Sequence, residues 1–386
     1  MPVAPNSNLI PRRAANSKIP LKSLRTLRAA VLAPLLALTC LHAAAQDAAP
    51  QFDDVAARAA AARDAGNLPL AIQLYTQAEQ LKPDWPEGLF YLGMLQYSNN
   101  DFPESIAAFN HLLQLQPGAP PALALRGLSE FETGAFDDSL RDLDQAVQKG
   151  AANQPRNEQI IRYHYAQLLA RAGRFQDAIL QYWFFATHHI DDSDLRLGLG
   201  VAGMRNQTLP KDIPVADRPI YEAAGSAGYV FLSGDSQAAD ALFTQLFAQN
   251  PTTPNLHYFY GVLLFPHAPN LAVDQFQAEV AVAPNSIAAH SILAYSLMID
   301  GRYPQAAAEA QIAINAAPDM EMAKIALGRS LAETGDTTRA ADLLTQILKD
   351  DPKNLEAHLG MAVVYSRTGN REEAYRERMV CLDLQK

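Results

Sequence analysis

From Leu89 through Leu92-Gly93 to Gln96, apolar and small residues recur three and four apart, the stripe of a helix with one buried face. Asn99-Asn100-Asp101 interrupts the stripe with turn formers. A second stripe runs from Ser105 through Phe109 and Leu112 and stops at Pro117, which cannot continue a helix. Residues 86–119 therefore read as helix, turn, helix. Glycine costs roughly 1 kcal/mol inside a helix, so Gly93 needs a packing reason. Small residues at 93 and 105 would let two helix backbones approach closely, and Phe109 would fill the space they leave.

The same arrangement returns at a fixed interval. Gly66, Asn100 and Gly134 stand 34 residues apart, as do Gly301, Gly335 and Gly369. Ala306, Ala340 and Ala374 keep that spacing, and so do Pro284, Pro318 and Pro352. Pro83 to Pro117 and Gly93 to Gly127 repeat it again. A period of this length shared by several residue classes signals stacked supersecondary units. Nine units are expected, starting near Phe52, Pro86, Pro120, Gln159, Ile220, Pro254, Ile287, Glu321 and Leu355. The last ends in an Arg- and Glu-rich helix over 371–386, as a terminal cap would.

The pattern of Leu92-Gly93, Ser105, Phe109 and Pro117 resembles the tetratricopeptide repeat. The resemblance spans about 52–386. It implies an all-α fold, a right-handed α-solenoid of helix–turn–helix units, with a long concave face.

The period breaks twice. Gly150–Asn157 is a short insertion, and about 191–219 is a longer one. The longer one reads as a helix without a partner (Leu195–Asn206), followed by a Pro-rich loop from Leu209-Pro210 to Arg218-Pro219. Such a segment should bend the array or act as a hinge. The expected organisation is thus a leader at 1–45, a block of about four repeats at 52–190, the insert at 191–219 and about five repeats at 220–386.

The leader carries Arg12, Arg13, Lys18, Lys22, Arg25 and Arg28, and no acid through residue 28. An apolar run from Ala29 to Leu41 and then Ala43-Ala44-Ala45 complete the three parts of a secretory signal. Export, with a periplasmic destination and cleavage after Ala45, is expected. The alternative is inner-membrane anchoring by 29–45, the one route to membrane association, although that run is shorter than the ~20 residues of a span. This leader, the L-P-x-x-I-P insert and the flanking repeats together are similar to exported tetratricopeptide proteins of environmental bacteria, particularly Acidobacteria.

Charge narrows the partners. The formal net charge is −10, and removal of the basic leader makes the chain more acidic still. Nucleic acid, which needs a basic face, is not expected. With hydrophobic residues at 49% and charged ones at 19%, the chain is expected to fold rather than stay disordered. Two cysteines, one of them Cys40 in the leader, exclude a disulfide framework.

Three segments imitate catalytic or ligand motifs. Gly198-Leu199-Gly200-Val201-Ala202-Gly203 spells a dinucleotide fingerprint but follows no apolar strand, so close helix packing is the better account. Ala224-Gly225-Ser226-Ala227-Gly228 imitates a nucleophile elbow but falls in a helical stripe. His188, His189, Asp191, Asp192 and Asp194 have neither zincin nor EF-hand spacing. No enzyme activity, cofactor or metal is expected. The alternative is a small-ligand or metal-binding protein, or an enzyme, using 188–219.

The function expected is a non-catalytic exported scaffold that holds a partner protein or peptide, with a place in envelope assembly or secretion. The tetratricopeptide resemblance places the groove on first-helix positions, here Phe90, Met94, Tyr97, Phe131, Tyr163, Tyr258, Tyr295 and Arg329. Aromatic side chains there would offer large contact area at low entropic cost. Phe90 and Met94 stand where chaperone-binding members of the family carry a carboxylate clamp, so that ligand class is not implied.

Overall fold

The computed structural model describes residues 51–151 and 155–385; the leader and its two proposed fates lie outside them. Among the described residues all regular structure is helical. Consecutive helices form hairpins: α1 (Phe52–Asp64) with α2 (Leu68–Leu81), α3 (Pro86–Ser98) with α4 (Phe102–Leu115), and α5 (Pro120–Thr133) with α6 (Phe136–Gln148). After α7 (Pro155–Arg171) and α8 (Phe175–Thr187) comes the inserted α9 (Ser193–Gly203). The series resumes with α10 (Arg218–Leu232) and α11 (Ser236–Gln249), then α12 (Leu256–Leu264) and α13 (Pro269–Val282). It closes with α14 (Ile287–Ile299) and α15 (Tyr303–Ala316), α16 (Glu321–Thr334) and α17 (Thr337–Asp350), and α18 (Leu355–Arg367) and α19 (Arg371–Leu384). Serially packed hairpins of this kind make an α-solenoid.

Two compact units result. One comprises the described residues up to Ile161 together with His188–Asp194; the other comprises Arg162–Thr187 and the described residues from Leu195 onward. The division runs through α7, and residues 195–219 belong to the second unit. Within the first unit, α3 packs on α5 as well as on α4; within the second, α16 packs on both α14 and α18. Successive first helices therefore lie side by side, and each unit has a face built from them.

The periodic residues explain the hairpins. Gly66, Gly134, Gly173, Gly301, Gly335 and Gly369 all adopt positive φ at the turn between paired helices, and Asn100 takes the same conformation at 66°. A left-handed residue there closes the first helix and aims the chain back. Gly93, Gly127, Gly261 and Gly328 serve a different purpose. A methyl group added to them would lie 2.8 Å from Phe109, 3.0 Å from Leu143, 2.5 Å from Phe276 and 2.9 Å from Leu344. The large second-helix side chain fills the space each glycine leaves. In the second and third hairpins a buried serine joins in. Ser105 Oγ donates to the Gly93 carbonyl at 2.9 Å, and Ser139 Oγ to the Gly127 carbonyl at 2.6 Å.

Helix starts depart from the sequence reading at three places. α7 begins at Pro155, four residues before Gln159, with a proline in the first turn where its missing N–H is tolerated. α10 begins at Arg218. α12 begins at Leu256 rather than Pro254, because buried Glu279 of α13 caps it, accepting the Asn255 and Tyr258 backbone N–H groups at 2.6 and 3.1 Å. The terminal helix also differs. Tyr375 and Leu382 of α19 are 62% and 53% exposed, whereas Ala341 and Leu348, one period earlier, are half-buried. α19 thus carries an apolar stripe as well as its charges.

The insert is not a helix without a partner. A methyl group added at Gly200 would lie 1.8 Å from the Tyr221 carbonyl oxygen, and one at Gly225 would lie 1.7 Å from the Arg196 carbonyl oxygen. The backbones of α9 and α10 therefore touch. The Pro-rich loop is anchored as well: Leu209 and Ile213 are buried, and Ile213 packs with Leu197 and Val201. Arg218 donates to the carbonyls of Ile213 and Lys211 at 3.1 and 3.2 Å.

Candidate functional site: the first-helix faces

The residues expected to line the groove fall into three groups. Phe90, Met94, Tyr97, Tyr163, Tyr295 and Arg329 are half-buried. Phe90 stands edge-on to Tyr91 and Phe109 at 5.7 and 6.2 Å, and flanks the cluster of Leu89, Phe109, Leu112 and Ala122. Tyr97 stands edge-on to Phe102 at 5.7 Å. Phe131, one period later, stands edge-on to Phe136 at 5.6 Å but is only 6% exposed. In these two hairpins the pair fastens the end of the first helix to the start of the second, so Phe131 is a hairpin contact rather than an open groove residue. Tyr163 has its ring edge-on to His164 at 5.5 Å.

Tyr295 and Arg329 are brought together with Glu356 from three successive first helices. Arg329 Nη1 donates to Glu356 Oε2, and the Tyr295 hydroxyl is pushed up by burial and by Glu356, with Arg329 pulling it back. Arg329 is therefore an occupied cation.

Tyr258 departs most from expectation, being only 4% exposed. Gln176 Nε2 donates to its hydroxyl oxygen at 3.2 Å and Arg205 Nη1 at 3.1 Å. The Arg205 guanidinium carbon lies 4.8 Å from the Tyr258 ring centroid and 4.7 Å from that of Phe175. Sequence reasoning missed Arg205, because it lies in the insert where the period is lost.

The two glycine-rich motifs are packing devices. Both glycine-rich segments lie within helices, on the two sides of the α9–α10 contact. Gly203 and Gly228 both face Phe259, and Ser226 Oγ donates to the Glu222 carbonyl one turn back at 2.7 Å. Near the His/Asp cluster, Asp192 Oδ1 accepts the Asp194 backbone N–H at 2.8 Å. Among the described residues no group of three or more His, Cys, Asp or Glu side chains is placed to hold a metal ion. No described helix is long and apolar enough to cross a membrane.

Models of the tetratricopeptide repeat family match residues 56–120, 125–182 and 331–377. The chain is a tetratricopeptide repeat protein. Solved structures similar to it include yeast Tom70, at 14% identity and a TM-score of 0.33, covering 86% of this chain and 76% of that one. A tetratricopeptide repeat protein from Parabacteroides merdae is similar at 14% identity and a TM-score of 0.32, covering 72% and 98%. YrrB, described as a TPR protein with an unusual peptide-binding site, is similar at 12% identity and a TM-score of 0.22, covering 73% and 95%. No curated protein matches the sequence.

In this tetratricopeptide protein polar rungs accompany the apolar ones. His290 Nδ1 meets Glu309 at 2.6 Å, His358 Nδ1 meets Glu377 at 2.5 Å, and His257 Nδ1 meets Gln275 at 2.8 Å. Each links the first helix of a hairpin to its second. These groups hold the hairpins together.

Proposed function

We propose that the protein is an exported, non-catalytic scaffold that holds a partner protein or peptide on its first-helix faces, serving envelope assembly or secretion. The observation that carries this reading is the recurrence of half-buried aromatics on first helices: Phe90, Tyr97, Tyr163 and Tyr295. Aromatic rings with one covered and one open side are the usual anchors of protein interfaces. The basic and apolar leader over 1–45 supports export to the periplasm; retention of 29–45 as an inner-membrane anchor is the alternative.

Replacing Tyr163 and Tyr295 together by Ala tests the binding surface. Capture of the partner crosslinked in the native host is expected to be lost, with helix content by circular dichroism unchanged. Undiminished capture would remove these faces as the binding surface.

A further inference from the structure

Arg205 is unusual in its backbone and in its side-chain partners. It adopts φ 57°, a left-handed conformation that side chains other than Gly and Asn seldom take. It closes α9 with the backbone pattern that ends several first helices: Arg205 N–H reaches the Ala202 carbonyl at 3.1 Å and Asn206 N–H the Val201 carbonyl at 2.9 Å. Gly134 and Gly173 hold that place in α5 and α7. A glycine would relieve the backbone here too, so the arginine points to a use for its side chain.

That side chain has no carboxylate partner among the described residues. Arg126 is bonded to Asp142 and Arg329 to Glu356, but Arg205 makes one side-chain hydrogen bond, to a neutral hydroxyl. A guanidinium carries five N–H donors in a planar fork. The rings of Phe175 and Tyr258 flank it, leaving the other edge donors unused. The Tyr258 hydroxyl accepts two N–H bonds, and its own proton finds no acceptor among the described residues. Burial raises this hydroxyl's pKa, so it remains a donor. A half-buried cation and a neighbouring O–H donor are thus held ready for an acceptor that carries negative charge.

The geometry points to Arg205, with Tyr258, as a carboxylate-binding site that receives an acidic side chain or a terminal carboxylate of the bound peptide. A carboxylate matches the planar donors and can take two parallel N–H bonds. This assignment rests on the scaffold reading and adds the chemistry of its ligand.

The test uses the full chain and two pools of short random peptides, one with amidated and one with free C-termini. Peptides held by the wild type are expected to be enriched ~10-fold in Asp and Glu in the amidated pool, or to come mainly from the free-terminus pool. The first result assigns a side-chain carboxylate and the second a terminal one. Arg205→Met, which keeps an apolar stem over the rings, and Arg205→Gly, which relieves the backbone, should both abolish the preference while still holding peptides. The same acid preference in wild type and both variants would overturn the assignment and leave the scaffold reading standing. Retention of no peptide by the wild type would overturn both.

Discussion

At Gly200 and Gly225 two helix backbones meet with no room for a methyl group, and the sign of a substitution there is informative. Were these glycines unconstrained, alanine would stabilise each helix by roughly 0.5–1 kcal/mol. Since the added carbon would meet backbone oxygen, Gly200→Ala and Gly225→Ala should each lose about 1–3 kcal/mol or more. Chemical denaturation decides between a loss and a gain. Glu130 provides a second residue-scale test. Burial first and Asp142 second push its carboxyl from the ordinary 4.5 up to about 7, while Arg126 pulls it down; Oε2 has no hydrogen-bond partner among the described residues. The folded state therefore holds this proton more tightly than the unfolded chain. Its contribution is favourable at acid pH and is lost as pH rises from about 4.5 through about 7. Glu130→Gln should consequently gain on the order of 1–2 kcal/mol relative to wild type between pH 5 and pH 8. Denaturation curves that stay parallel across that range would contradict the assignment.

The hairpins were the most legible elements, because each is specified several times over. Gly328 shows the redundancy: a first-helix glycine, Leu344 sixteen residues on to fill its hollow, and Gly335 between them at positive φ to turn the chain. Gly328→Val should therefore lose about 1–3 kcal/mol, since a branched side chain would hold α16 and α17 apart. A melting curve identical to wild type would mean the register is wrong. The insert was less legible. Its helix was recognisable, but its partner was not, because the Gly200–Gly225 contact joins residues 25 apart, off the period. The role of Leu209 and Ile213 as buried pegs was hidden for the same reason, in a segment whose prolines read as loop. The capping of α12 by Glu279 depends on tertiary placement that no local pattern encodes.

At the scale of the whole molecule, the repeat supplies two kinds of surface. Second helices supply the large apolar side chains that fill the first-helix glycine hollows, and first helices keep several aromatic rings half-buried. The half-exposure of first-helix residues was therefore legible where it follows the period, as at Tyr97, Tyr163 and Tyr295. It was misread where tertiary packing intervenes: Phe131 and Tyr258 hold groove positions by register yet are buried, one against Phe136 and the other beneath Arg205. Arg205 itself lies outside the period. The most direct test of the account is a photo-crosslinking scan in the native host. A photoreactive side chain would be placed in turn at Met94, Tyr163 and Tyr295 on first helices, and at Asp240, Ile312 and Asp342 on exposed second-helix positions. The account predicts one common crosslinked partner from the first-helix set and none from the second-helix set. Equal crosslinking from both sets, or a partner captured only from second helices, would contradict it.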